Sequence, residues 1–157
     1  MMSDYLRGMR DLIGTRAILL PGVQAIIPNN AGEILLQHRT DMDCWGLPSG
    51  SLELDETAME TLRREVEEEA GVRVIEAEPM ALYSGPAQKH VYSNGDEIIC
   101  FTIAFIIRRW EGQPRADGEE GSEVRFFPLS NPPSNLVPLH VRTLADYRRY
   151  NGRFLVP

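Results

Sequence analysis

The segment Gly50–Val72 constrains this chain more than any other. From Thr57 to Ala70 it holds strong helix formers with no Gly or Pro, and it ends at Gly71, which suits a left-handed helix terminus. Asp55 and Glu56 at its start suit the positive end of a helix dipole. At about 100° per residue, Met59, Leu62, Val66 and Ala70 fall on one apolar stripe that must meet a core. Glu65, Glu68 and Glu69 share an adjoining face at spacings that bring Cβ atoms to roughly 5–6 Å. Three carboxylates so placed repel one another unless a cation sits among them, and hard divalent cations take oxygen ligands. A solvated acidic face is the other reading of such a helix. Arg64 stands beside the cluster, where its planar guanidinium suits a bidentate hold on a carboxylate.

Around this helix the pattern alternates between strands and turns. Val23–Ile27 and Ile34–Gln37 read as two strands joined by the turn Asn29-Asn30-Ala31-Gly32. Thr40–Ser51 reads as a loop holding Trp45, Gly46, Pro48 and Gly50. Further strands are expected at Val72–Ile75, around Met80–Ser84, at Ile98–Arg108 after the turn Ser93-Asn94-Gly95-Asp96, and at Glu123–Phe127. Leu129–Pro138 holds three prolines and cannot be regular, and Leu139–Tyr150 reads as a last helix. Strands on both sides of one strong helix predict an α/β sandwich with a mixed central sheet, and no boundary divides residues 1–157 into two domains.

Composition narrows the function. The net charge of −7 argues against a protein that grips long nucleic-acid backbones with a basic stripe, but it does not exclude a small anionic substrate. The longest apolar run, Ile103–Ile107, is far short of the roughly 20 residues that span a bilayer. Met1–Tyr5 carries no basic region followed by an apolar one, and Cys44 and Cys100 form no Cys-x-x-Cys pair. A cytoplasmic protein with no membrane partner and reduced thiols is the resulting expectation.

The order within the segment is Gly50, five residues, Glu56, seven residues, Arg64-Glu65-Val66, one residue, Glu68-Glu69, one residue, Gly71-Val72. It resembles the Nudix box of the Nudix hydrolases (MutT-like) at every specified position. The lead-in Trp45-Gly46-Leu47-Pro48-Ser49 and the flanking strands extend the likeness from Val23 to Pro128. The resemblance implies a Nudix-type α/β/α sandwich and hydrolysis of a phosphoanhydride bond in a nucleoside diphosphate linked to another group, with Mg²⁺ or Mn²⁺ as cofactor. A nucleoside triphosphate or a nucleotide sugar would be such a substrate. It also allows a homodimer, for which no sequence feature marks an interface.

Carried over by position, Glu65, Glu68 and Glu69 resemble the family's metal ligands, and Glu56 resembles the glutamate that supports or joins them. Arg64 would hold a box carboxylate in place. Ser49 stands where many members have a glycine whose carbonyl binds metal; a serine keeps the carbonyl but restricts the loop. The catalytic base varies within the family, so Glu68 on the helix and Glu119 or Glu120 on a later loop are the choices here. A plain surface loop also explains that later pair. Arg39 is placed to reach a substrate phosphate or to sit on the surface at a strand end. Trp45 is expected to pack under its loop rather than to stack on a base, and Lys89, His90 and Tyr92 to form a hairpin surface rather than to line the nucleotide pocket. His38, His90 and His140 lack metal-ligand spacing.

Pro86 and Tyr92 lie near, but not at, the positions that mark ADP-ribose and dinucleoside polyphosphate hydrolases. Two other readings stand beside hydrolysis of a small nucleotide. One is a Nudix-fold binding module without catalysis, against which all the box glutamates are intact. The other is an RNA-end pyrophosphohydrolase, against which the acidic balance weighs.

Overall fold

A computed structural model describes residues 4–157. In chain order they form α1 (Asp4–Ile13), β1 (Ile18–Ile26), β2 (Ile34–Arg39), β3 (Cys44–Gly46), β4 (Ser49–Ser51), α2 (Ala58–Ala70), β5 (Val72–Tyr83), β6 (Lys89–Val91), β7 (Glu97–Gly112), β8 (Gly121–Phe127) and α3 (Pro138–Arg148). The apolar run inside β7 makes it the central strand. On one side β1 lies parallel to it, Ile18–Ile26 alongside Ile98–Ile106; on the other lies antiparallel β5. With β4 on the outer edge of β1 and β6 against the start of β7, this is the expected mixed sheet. A second, antiparallel sheet has the order β3-β2-β8.

Strand alternation sorts the core into two layers. Ala25, Ile27, Phe105 and Ile107 pack with Leu62, Val66 and Ala70 of α2, while Ile26, Ala104 and Ile106 pack with Leu144 of α3. Helices therefore cover opposite faces, which is the α/β/α sandwich. The apolar stripe on α2 is as its periodicity requires, with Leu62, Val66 and Ala70 fully buried and Met59 packed at the rim.

Several elements differ from the sequence expectation, each for a physical reason. Val72–Ile75 and Met80–Ser84 join into the single strand β5, whose register slips around Glu76 and Pro79. Proline has no N–H for a ladder and is accommodated at such irregularities. The first strand begins at Ile18 rather than Val23, because β7 supplies a partner that far back. β1 and β2 pair only beside their turn, through Leu35 N–H to Ile27 O at 3.0 Å, and then diverge into separate sheets. Helix α1, which lies outside the elements expected from sequence, has no fully buried residue, although Leu6, Met9 and Ile13 recur at helical spacing and are half-buried. Arg10 ties it down, donating to the carbonyls of Gly14, Arg16 and Glu97.

Helix α2 starts with a reciprocal cap: Thr57 N–H donates to the Glu60 carboxylate at 2.8 Å, and Glu60 N–H donates to Thr57 Oγ1. It stops at Gly71, whose φ of 69° is left-handed. Thr57→Ala should cost about 1 kcal/mol of stability, read as a lower urea midpoint with an unchanged m-value.

Candidate active site

The site begins with a close approach. β4 lies antiparallel to β1, pairing Val23 with Gly50 and Gln24 with Ser49, and its outer side meets α2. A Cβ on Gly50 would fall 2.0 Å from the carboxyl carbon of Glu65, so only glycine lets that side chain lie against the strand. One residue earlier, Ser49 N–H donates to Glu69 Oε2 at 2.7 Å. The sequence likeness points to the Ser49 carbonyl; the structure shows its N–H holding a carboxylate.

The three cluster glutamates are not equivalent. Glu69 is only 2% exposed, Glu65 is half-buried, and Glu68 reaches solvent. Arg64 runs between them. Its Nε and Nη2 donate to Glu56 at 2.6 and 2.8 Å in a fork, its Nη1 to Glu65 at 2.6 Å and to Glu68 at 3.4 Å, and its Nη2 also to the carbonyl of Ser51. The Arg64 guanidinium, with help from the Thr61 hydroxyl, holds the Glu56 carboxyl down to about 2. Burial pushes Glu65 upward, with Glu68 adding repulsion. Glu69 is pushed up to about 7, chiefly by burial, although the Ser49 N–H and the nearby Gln37 amide favour its charge.

Two concavities meet at this cluster. An acidic one of about 640 Å³ is lined by Glu56, Arg64, Glu65, Glu68, Glu69 and the loop residues Asp117, Glu119 and Glu120. A larger cleft of about 860 Å³ shares Glu65, Glu119 and Glu120 with it and adds Arg39, Ser49, His90 and Tyr92. Glu119 and Glu120 are thus brought to the helix from 50 residues along the chain. Asp117, which the sequence reading did not single out, shapes their loop by accepting from the N–H groups of Glu119, Glu120 and Gly121. Thr40 ties the loop to β2 through the Glu119 and Glu120 carbonyls. An Asp-Gly turn signal at Asp117-Gly118 was the available clue.

Arg39 is held by Asp41 through two bonds of 3.0 and 2.8 Å while still lining the cleft. His90 and Tyr92, in edge contact with each other, also line it. Trp45 is buried against Phe127 and His38. His140 carries a structural bond: its Nδ1 accepts from Leu47 N–H at 3.0 Å, and full burial drives its pKa down to about 3, so the ring stays neutral.

The NUDIX domain family model matches residues 19–147. The chain belongs to the Nudix family. It is therefore a hydrolase of pyrophosphate bonds in nucleoside diphosphate derivatives. Among its relatives is the ADP-ribose pyrophosphatase of Methanocaldococcus jannaschii, 31% identical over 150 residues that cover 91% of this chain and 82% of that protein. In structure it is similar to a MutT NUDIX hydrolase from Burkholderia pseudomallei, with a TM-score of 0.69 at 24% identity, covering 83% of this chain and 98% of that one. The NUDIX domain of Shewanella oneidensis NrtR, solved with ADP ribose, aligns with a TM-score of 0.68 at 19% identity, over 95% of this chain and 98% of that one. The last two likenesses speak for the fold.

Nudix hydrolases generally use a divalent metal, and the residues here fit one. The donors are hard carboxylate oxygens, and Gly50 leaves Glu65 the space that a Cβ would fill. Among the described residues no guanidinium or ammonium group forms an ion pair with Glu69. Nor have three potential ligands converged on one point; instead Arg64 lies between the carboxylates.

Two outcomes follow for this Nudix site. Gly50→Ala should displace Glu65 and lower kcat at least about tenfold, while circular dichroism shows the fold retained. For Glu69, a folded pKa of about 7 lies above the ordinary 4.5, so the metal-free protein loses stability as pH rises from 4.5 through 7. In chelator, Glu69→Gln should melt above the parent at pH 8, and the difference should vanish below pH 4.5.

Proposed function

We propose that this chain hydrolyses the pyrophosphate of a nucleoside diphosphate joined to a sugar, with ADP-ribose the first substrate to test and Mg²⁺ or Mn²⁺ as the metal. The carrying observation is the junction of the α2 carboxylates with a cleft of about 860 Å³, a volume suited to a whole nucleotide sugar. The relatedness to an ADP-ribose pyrophosphatase along 91% of the chain supports this class. A compact nucleotide also suits the acidic lining better than a long RNA does.

Glu65, Glu68 and Glu69 would hold the cation, and Glu56 would act through Arg64 to keep Glu65 and Glu68 in place. When bound, the cation neutralises the diphosphate and acidifies the attacking water. That water's oxygen bonds to phosphorus as the bridging P–O bond breaks. With ADP-ribose the products are AMP and ribose 5-phosphate. Glu68, the most exposed cluster carboxylate, takes the water's proton. Glu119 and Glu120 are the second choice for that base, since both line the two concavities. Arg39 lends positive charge to the diphosphate from the cleft wall.

Purified protein with Mg²⁺ or Mn²⁺ should release AMP from ADP-ribose, and EDTA should abolish the release. Activity that survives EDTA would reject the metal role. Glu68→Gln should lower kcat about 100-fold or more with an unchanged melting temperature. A full rate in Glu68→Gln, with a collapse in Glu119→Gln or Glu120→Gln, would move the base to the loop.

A further inference from the structure

Gln37 is fully buried, yet neither its side-chain nitrogen nor its oxygen makes a hydrogen bond of regular geometry. Leaving a buried amide so costs roughly 1–3 kcal/mol, and native folds keep few such groups without a reason. Its surroundings supply one. On β2, Leu35 and Gln37 share a face by alternation, and Leu35 packs in the core layer that includes α2. That turns the Gln37 amide toward Glu69, close enough for a side-chain hydrogen bond that favours the carboxylate's charge, though not one of regular geometry. The Gln37 oxygen lies against Gly121, so close that a Cβ there would stand 2.9 Å away. Gly121 is the end of the loop that carries Glu119 and Glu120 and is pinned by Asp117.

We propose that Gln37 is a positioning residue that links Glu69 to the Asp117–Gly121 loop and so sets the affinity of the α2 carboxylates for a divalent cation. This rests on the reading of Glu69 as a cation ligand. The amide's approach to Glu69 falls short of a regular hydrogen bond: a small turn lets its N–H groups donate fully once a cation draws that carboxylate into its ligating position. Because the same amide abuts Gly121, the acidic loop and the buried ligand then settle together. A buried glutamine acting only as filler would have no such effect.

The test uses the full chain and Mn²⁺, with free ion followed by electron paramagnetic resonance. Gln37→Met keeps the volume and removes both polar atoms. Its metal-free melting temperature should equal or exceed the parent's, while its Mn²⁺ Kd rises about tenfold. These opposite movements separate positioning from filling. Gly121→Ala, whose methyl meets only the far end of Gln37 at short range, should weaken Mn²⁺ binding in the parent but add nothing in Gln37→Met. Glu69→Gln is the control. If it weakens Mn²⁺ binding while Gln37→Met and Gly121→Ala bind as the parent does, the role of Gln37 is overturned. If Glu69→Gln itself binds like the parent, the cation-site reading fails. Should Gln37→Met not fold, the Gly121→Ala titration decides alone.

Discussion

Arg64 gathers Glu56, Glu65, Glu68 and the Ser51 carbonyl around one guanidinium. The like charges along α2 would otherwise repel at every i, i+3 and i+4 step. With the arginine among them, the carboxylates face inward over a shared hollow, and β4 is fastened to the helix at the same point. Gly50 then permits the contact, because its missing side chain is the space into which Glu65 folds. Each element of the site depends on that gathering: helix, strand and loop are held at one place by charge as well as by the apolar stripe beneath. A lysine could not do the same, since it lacks the planar fork that engages Glu56 with two bonds and still reaches two more carboxylates.

Much of this was legible in sequence because it is local. A 13-residue helix with a cap, a stripe and a terminal glycine announces itself through periodicity, and the fixed order of Gly50, Glu56, Arg64, Glu65, Glu68 and Glu69 is an arrangement along one short segment. The long apolar strand β7 and the closing helix α3 were visible for the same reason. What escaped was non-local or weakly patterned. Periodicity set Glu69 beside Glu65 and Glu68, but its burial depends on β4 and β2 closing over it. The partition of β1 and β2 into different sheets follows from which strand each finds far along the chain. The short strands β3, β4 and β6 have three residues each, too few for alternation to show.

The loop with Glu119 and Glu120 illustrates the boundary. Its composition marked it as acidic and as a turn, yet only Asp117, Thr40 and Gly121 make it an overhang above α2. Glutamine 37 belongs to the same class. In sequence it only opens the polar end of β2, ahead of His38 and Arg39, and its polarity acquires meaning only once Glu69 and Gly121 stand on either side of it.

The parallel pairing of β1 with β7 carries a kinetic consequence. Ile18 meets Ile98, so the chain must close a loop of about 80 residues before the central sheet exists. The helix with the carboxylates lies inside that loop, between two strands that each need β7 as a neighbour. Closing so long a segment is entropically unfavourable until many contacts form together, and such topologies fold slowly compared with helical bundles. The acidic helix can be drawn up early from its own propensity, but the walls that turn its charges into a site need the long-range pairings of β1 with β7 and of β2 with β8.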